Sequence, residues 1–291
     1  VTTAKAFSVI IPAHNEEAVI GRCLTFLLAD APAEHAMDIV VVANGCNDRT
    51  AEFAERFDAV AKVLTLSEGS KTAAINAGCA AARHCPRIVL DADVLCSYLT
   101  AAALADALHE PGVMTASPAI SLNLQGATRM MQAYYRVWLR QPYAIAGKGG
   151  AGCYGLSRAA IETIGEFPAI IADDIWIHTR FPDAQKRYLR HNAAGEPVCT
   201  VVFPPRTAWE QIKVEARRRL GNAEVLRDHP SPYNLHSGGS AGLGHALTNG
   251  ASAFDLIAFF GIKFAARLRA LWQRLQGRTT QWTRDQSSRK R

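Results

Sequence analysis

The 291-residue chain has no C-x-x-C pair, and its seven cysteines (Cys23, Cys46, Cys79, Cys85, Cys96, Cys153, Cys199) are odd in number and scattered. They support neither a disulfide framework nor a zinc-ligand spacing, and they point to a reducing, cytoplasmic setting. No glycine-rich turn follows the first apolar run, because Ile10 and Ile11 lead straight into PAHNEE. The G-x-G-x-x-G fingerprint of a dinucleotide dehydrogenase is therefore missing, as is the glycine-rich phosphate loop of a nucleotidyltransferase. The nine histidines form no metal triad, and no internal repeat is found. The run from Phe7 to Ala13 is too short for the core of a secretory leader. Nor is there a stretch of the roughly 20 predominantly apolar residues that spans a bilayer.

The body of the chain carries little net charge. Residues 251–291 hold nine Lys or Arg against Asp255 and Asp285, a net of +7 within a total of +6, so the first 250 residues sum to −1. The basic character belongs to the tail, and a nucleic-acid-binding face on the main domain is not supported. A hydrophobic content of 49% and a charged content of 20% are those of an ordinary globular protein, long enough here to bury a substantial core.

What is present begins with alternation. Strand-like runs at 7–13, 38–44, 61–66, 87–93 and 113–117 are separated by helical patterns at about 16–30, 49–58, 71–83 and 98–109, with Asp48 and Ser70 placed as caps. Strand, helix, strand at this spacing predicts an α/β fold: a Rossmann-like, mostly parallel sheet with helices on both faces. Ligands of such sheets bind beyond the carboxyl ends of the strands. PAHNEE, NGCND and DAD all follow strands at that edge, so three polar clusters distant in sequence should share one crevice. Beyond 117 the pattern predicts a helix at about 123–141, the glycine-rich GKGGAGCYGLS at 147–157, a further helix, the acidic pair Asp173 and Asp174, strands at 186–190 and 198–203, and a long helix at 206–227. Glycines 147, 149, 150 and 152 either let backbone approach a ligand closely or mark a turn before a tightly packed strand.

The chemistry concentrates in RIVLDADV, where an apolar strand runs into Asp91 and Asp93. Strand alternation places residues i and i+2 on one side, and two carboxylates there can meet a hard divalent cation that keeps positions open for phosphate oxygens. An Asp-x-Asp after a strand is also a common solvated turn.

SVIIPAHNEEAVIGRCL, VVVANGCNDRT, SEGSKTAAINAG, IVLDADV and ADDIWIHTRFP occur in the order and approximate spacing of the family 2 glycosyltransferases of GT-A fold, which the chain resembles from about residue 7 to 225. The resemblance implies that Pro12, Ala13, His14 and Glu16 lie around the base and ribose of a nucleotide-sugar donor. It puts Lys71 near the nucleotide and Asp91 and Asp93 at the metal, with Asp93 the direct ligand of Mg²⁺ or Mn²⁺. Asp174 then matches the catalytic base and Asp173 the residue beside it. NGCND departs from the family pattern, since Ala43 and Asn44 stand where many members carry paired aspartates; Asn44 is left to read a base edge through its amide. Processive members carry Q-x-x-R-W, whereas this chain reads EARRRLGN, which favours transfer of a single sugar; Arg218 is the candidate contact to the diphosphate.

The residues fit that chemistry. A cation on the departing diphosphate and a carboxylate that deprotonates an acceptor hydroxyl are what an inverting transfer needs, and no isolated nucleophile argues for a covalent intermediate. Asp173 also reads as a helix N-cap. His178, four residues beyond Asp174, shares its helix face. Two other readings stand beside this one: a catalytically silent nucleotide-sugar-binding subunit of a membrane-associated complex, and a retaining GT-A enzyme.

The domain reading is a catalytic domain over 1–227, with a nucleotide-binding half at 1–117 and an acceptor half at 118–227. A Gly/Pro/Ser-rich loop or lid follows at 228–250, then a basic amphipathic helix and disordered tail at 251–291. In 253–276, Ile257, Phe260, Phe264, Leu268, Leu271 and Leu275 recur at helical spacing, with Lys263, Arg267 and Arg274 on another face. That pattern suits a helix lying on an anionic membrane at the cytoplasmic face, and a carbohydrate or lipid-linked acceptor. The other use of such a helix is packing on the catalytic domain or on a second subunit of a homodimer.

Overall fold

A computed structural model describes residues 5–34, 37–145, 152–233 and 250–277. In chain order the strands are β1 (Phe7–Ala13), β2 (Met37–Asn44), β3 (Ala61–Leu66), β4 (Arg87–Leu90), β5 (Thr115–Leu122), β6 (Cys153–Leu156), β7 (Lys186–Leu189) and β8 (Cys199–Val202). The helices are α1 (Ile20–Ala29), α2 (Thr50–Glu55), α3 (Lys71–Ala81), α4 (Tyr98–Leu108), α5 (Arg129–Trp138), α6 (Pro142–Ile145), α7 (Arg158–Ile164), α8 (Asp173–His178), α9 (Ala208–Asp228) and α10 (Ala253–Leu275). They form two units: Val1–Ser121 with Ala151–Ala169 and Arg180–Val202, and Leu122–Gly150 with Ile170–Thr179 and Phe203–Arg291. The division is not the one expected at 117, because two later segments return to the first unit and give its sheet β6, β7 and β8.

The first unit is built on a sheet of order β3-β2-β1-β4-β6-β5-β7, with β8 paired to β5. β1, β2, β3 and β4 run parallel, β6 lies antiparallel between β4 and β5, and β5 and β7 are parallel. Every residue of β1 and β2 is buried, as near-continuous β-branched runs must be when both faces of a sheet are covered. Val9, Ile11, Leu24, Leu27 and Leu104 share the core on one face, while Val40, Val42 and Ala74 of α3 pack on the other. At the amino end of the sheet Asp38 accepts from Ser8 Oγ and Arg83 Nε at 2.9 and 2.8 Å. Burial raises its carboxyl, but these bonds and the Arg83 charge outweigh it and hold the group below its ordinary value.

Several boundaries move. β4 stops at Leu90, so Asp91 and Asp93 stand in a turn closed by Val94 N donating to Asp91 O at 3.1 Å; strand pleating is not what relates them. The helix expected at 123–141 is shorter, α5 at Arg129–Trp138, and α6 at Pro142–Ile145 follows beyond it. Ser70 caps α3 as expected, accepting from Ala73 N, whereas Arg49 stands at the N-cap position of α2 without a side-chain bond and Asp48 Oδ1, one residue earlier, accepts from Thr50 N.

The second unit centres on α10, which packs along α5 and α9. A Ser252–Asp255 capping box opens the helix. Its inner face is Asp255, Ala258, Phe259, Ile262, Ala266 and Ala270. Buried Glu215 of α9 accepts from Tyr134 Oη of α5 at 3.0 Å, Lys263 Nζ of α10 at 2.9 Å and Arg218 Nη2 at 2.9 Å, tying the three helices together. Burial alone would raise the Glu215 carboxyl, but the charges of Arg218 and Lys263 and the bonds from Lys263 and Tyr134 hold it at about 2. Asp255 is likewise neutralised, by Arg136 at 2.6 Å. Residues 253–275 are therefore an integral helix of this unit; most of the 228–250 loop, and the tail from 278, lie outside the described residues.

Candidate active site

Because β1 to β4 are parallel, the loops after them emerge at one edge of the first unit. The loop after β1 is laced to the loop after β2. Asn47 N donates to Asn15 Oδ1 at 2.8 Å, Arg49 N to Glu17 Oε2 at 3.0 Å, Glu17 N to Asp48 Oδ2 at 3.2 Å and Glu16 N to Thr50 Oγ1 at 2.6 Å. Asn15 adopts φ +53°, a left-handed conformation that asparagine tolerates. His14 Nδ1 lies 2.5 Å from the Asn44 carbonyl, so Nδ1 carries a hydrogen and donates to it. The ring rests against Gly69, where an added Cβ would come within 3.1 Å of it.

The third loop joins through glycine. Gly45 N donates to Leu66 O at 2.8 Å with φ +55°, and a Cβ there would stand 2.4 Å from Gly69 N. No other residue fits so close an approach in that conformation. The fourth contribution is the turn after β4. Lys71 Nζ, at the start of α3, pairs with Asp91 Oδ1 at 2.7 Å, and Asp93 follows two residues on. Asp91 N donates to Gly152 O at 2.8 Å. Gly152 has φ +58°, and a Cβ on it would meet Val94 at 2.5 Å and Asp91 Oδ2 at 3.3 Å, so β6 begins hard against the acidic turn.

The expected residues fare differently. His14, Lys71, Asp91 and Asp93 are partly accessible at this edge. Pro12 and Ala13 are buried in β1, which leaves backbone as what they can offer a ligand. Glu16 is buried, and its carbonyl accepts from Val19 and Ile20 at 2.9 Å, anchoring the entry to α1. Asn44 is corrected: its amide nitrogen donates to the Ala13 and Val42 carbonyls at 2.8 and 3.3 Å, so the donor expected to meet a base edge joins β1 to β2. Of the glycines, 147, 149 and 150 lie outside the described residues. Sequence reasoning passed over Asn15, Thr50, Gly45 and Gly69; the N-G dipeptide at 44–45 was their one local signal.

In the second unit Asp173 and Asp174 open α8. Ala172, not Asp173, is the N-cap, and its methyl side chain offers no bond to the first turn. Asp173 is buried, whereas Asp174 is partly accessible, with Oδ1 accepting from Ile175 N at 2.8 Å. His178 ends the same helix. α8 is held to α9 by Ile171 N donating to Glu224 Oε2 at 3.3 Å and by Gly221, where a Cβ would come 3.1 Å from Ala172. Arg218, expected at a diphosphate, is half-exposed and pairs with Glu215. Among the described residues no group of three or more His, Cys, Asp or Glu is placed to hold a metal ion by itself.

The mixed, mostly parallel sheet and its loop edge define a GT-A fold, which solved structures of that type share. The mannosyltransferase PcManGT from Pyrobaculum calidifontis, in complex with GDP-Man and Mn²⁺, superposes with a TM-score of 0.65 at 19% identity, covering 94% of this chain and 88% of that one. The glucosyl-3-phosphoglycerate synthase of Mycobacterium tuberculosis, with Mn²⁺, UDP and glucosyl-3-phosphoglycerate, gives 0.54 at 18% identity over 78% of this chain and 81% of that one. In sequence, residues 8–160 match Glycosyl transferase family 2, and the chain belongs to that family. It is also 34% identical over 98 residues to the probable glycosyltransferase YdaM of Bacillus subtilis (strain 168), a match covering 31% of this chain and only 21% of that relative.

Proposed function

We propose that this chain transfers a single hexose from a nucleoside-diphosphate donor to an acceptor hydroxyl with inversion, assisted by Mg²⁺ or Mn²⁺. The observation that carries the reading is the Lys71–Asp91 pair with Asp93 beside it, at the edge where the His14 and Asn44 loops also emerge. The donor set suits a hard cation in one particular way. One Asp91 oxygen is engaged by Lys71, so Asp93 would be the principal protein ligand and the remaining positions would go to phosphate oxygens and water. Such a cation, when bound, supplies Lewis-acid stabilisation of the departing diphosphate.

The protein's own groups do the rest. Lys71 keeps a positive charge beside the acidic turn and can offset phosphate charge without leaving Asp91. His14 and the backbone of Pro12 and Ala13 border the nucleoside. Asp174 takes the proton from the acceptor hydroxyl, a role typically worth about 10² to 10⁴ in rate. Buried Asp173 positions α8. The named complexes of the two structural neighbours, with Mn²⁺ and GDP-Man or UDP, support the donor class. The acceptor is a carbohydrate or lipid-linked hydroxyl, reached at an anionic membrane to which 253–276 attaches.

The test is isothermal titration with UDP, GDP and dTDP, each with and without Mn²⁺, on the native chain and on Asp93→Ala. One nucleotide should bind in a Mn²⁺-dependent manner, and Asp93→Ala should weaken it by about 100-fold. Binding of none, or equal binding by the variant, would overturn the donor-site reading.

A further inference from the structure

α10 carries two apolar faces, and only one of them is covered. The inner face, rich in alanine, packs on α5 and α9. The outer face presents Ile257, Phe264, Leu268, Leu271, Trp272 and Leu275 to solvent, with Ile257 69%, Phe264 63% and Leu275 87% exposed. At 100° per residue these side chains fall within one stripe about 27 Å long. The stripe continues into an apolar recess of about 250 Å³ between α5, α9 and α10, lined by Met130, Ile212, Phe254, Ile257, Gly261 and Ile262. An uninterrupted apolar surface of this extent on a helix marks an interaction site.

Charge identifies the occupant. α10 has four cations, Lys263, Arg267, Arg269 and Arg274, and one carboxylate, Asp255. That carboxylate is buried and paired with Arg136, Lys263 is paired with buried Glu215, and Arg269 is half-buried over the Trp209 ring at 5.0 Å, so what the helix leaves exposed beside the stripe is Arg267 and Arg274. Both fall along one flank of it by helical angle. An apolar stripe with Trp272 and arginines at its margin complements the boundary between lipid headgroups and acyl chains. Among the described residues no helix is long and apolar enough to cross a membrane. Its inner face is in any case spent on protein.

We propose that the outer face of α10 is a docking surface for an anionic phospholipid bilayer, the helix lying in the interface plane with Phe264, Leu268 and Leu271 at acyl depth and Arg267 and Arg274 at the phosphates. This deepens the membrane attachment proposed above, but needs no nucleotide, so a failed titration at the donor site leaves it standing.

The experiment is flotation of the full chain with vesicles of phosphatidylcholine alone and of phosphatidylcholine mixed with phosphatidylglycerol. Binding to the mixed vesicles should exceed binding to the neutral ones and fall as salt is added. Phe264→Glu with Leu268→Glu should weaken it by about tenfold or more, and Arg267→Glu with Arg274→Glu by about tenfold. Neither change touches the inner face, so thermal unfolding without lipid should stay unchanged and report that the helix still forms. Absence of binding, or equal binding to neutral and anionic vesicles, overturns the proposal. So does a lipid-free dimer in sedimentation that the Phe264 and Leu268 substitutions dissociate, which would make the face a site for a second copy.

Discussion

The edge of the first unit and the helix cluster of the second hold polar groups in place by opposite means. At the edge, order comes from backbone: His14, Asn15, Asn44 and Gly45 are fixed by main-chain bonds and by turns in unusual conformations, and the charged groups stay partly accessible. In the helix cluster, order comes from buried charge: Glu215 with Lys263, Arg218 and Tyr134 joins three helices that offer one another mostly alanine and aromatic surface. The edge does hold an ion pair, Lys71 with Asp91, but its carboxylate stays a third exposed, as the proposed ligand site needs, whereas the carboxylate of the helix cluster is buried. The comparison predicts that charge substitutions harm the second unit most, and conformational substitutions the first.

The largest expected effect is at Glu215. Replacing it by glutamine leaves Lys263, whose side chain is 17% exposed, without its counter-charge and should cost about 3 to 5 kcal/mol in denaturant unfolding. Adding Lys263→Met should recover much of that loss, because an apolar side chain of similar length needs no partner. If the double variant is no better than the single one, the cluster is held by packing, and the contrast drawn between the two units fails.

Acid should expose the same group. The folded carboxyl of Glu215 sits at about 2, below the ordinary 4.5, so its contribution is complete above 4.5 and is lost as pH falls from there towards 2. Integrated over that window the loss is about 3 kcal/mol. Asp38, also held below its ordinary value, adds a loss of the same sign. Thermal unfolding followed from neutral pH to pH 3 should show this decline, and Glu215→Gln should flatten it. An unchanged slope in the variant would assign the acid sensitivity to Asp38 and other carboxylates.

Neither arrangement was equally visible beforehand. The parallel half of the sheet, the common edge of PAHNEE, NGCND and DAD, and the Ser70 cap follow from local periodicity and strand ends, which a sequence displays. β6 was legible only as one of two readings of the glycine run, a turn before a tightly packed strand, and its insertion between β4 and β5 is a tertiary event. The Glu215–Lys263 pair spans 48 positions and has no local signature. On α10 the eye goes to Phe, Leu and Trp, yet Ala258, Ala266 and Ala270 form the packed face, since small side chains let helices approach closely. At the site, Asp91 and Asp93 were legible as residue types, but the Lys71 pairing and the Gly152 contact needed the fold.

A conformational substitution tests the other side of the comparison. Gly45→Ala places a Cβ 2.4 Å from Gly69 N at φ +55°, where an L-residue is strained. The expected loss is about 2 kcal/mol of stability, read from the denaturant midpoint, together with weaker nucleotide binding as the loops after β2 and β3 separate. A neutral result would mean that this rim yields easily and that its order comes from elsewhere.

The smallest effect separates two claims on one side chain. Arg218 was expected at a diphosphate, but its guanidinium lies 2.9 Å from Glu215, which has a second cation in Lys263. Since Arg218 is half-exposed, much of its attraction is screened, and Arg218→Ala should cost only about 1 kcal/mol of stability. If it belongs to the helix cluster alone, nucleotide affinity in the presence of Mn²⁺ should stay within about twofold of the native value, against the roughly tenfold loss that removing a charge-assisted phosphate contact brings. A tenfold loss would return Arg218 to the donor. It would also make one arginine serve both as counter-ion to a buried carboxylate and as a ligand contact, and the separation of the two strategies would then no longer hold for this residue.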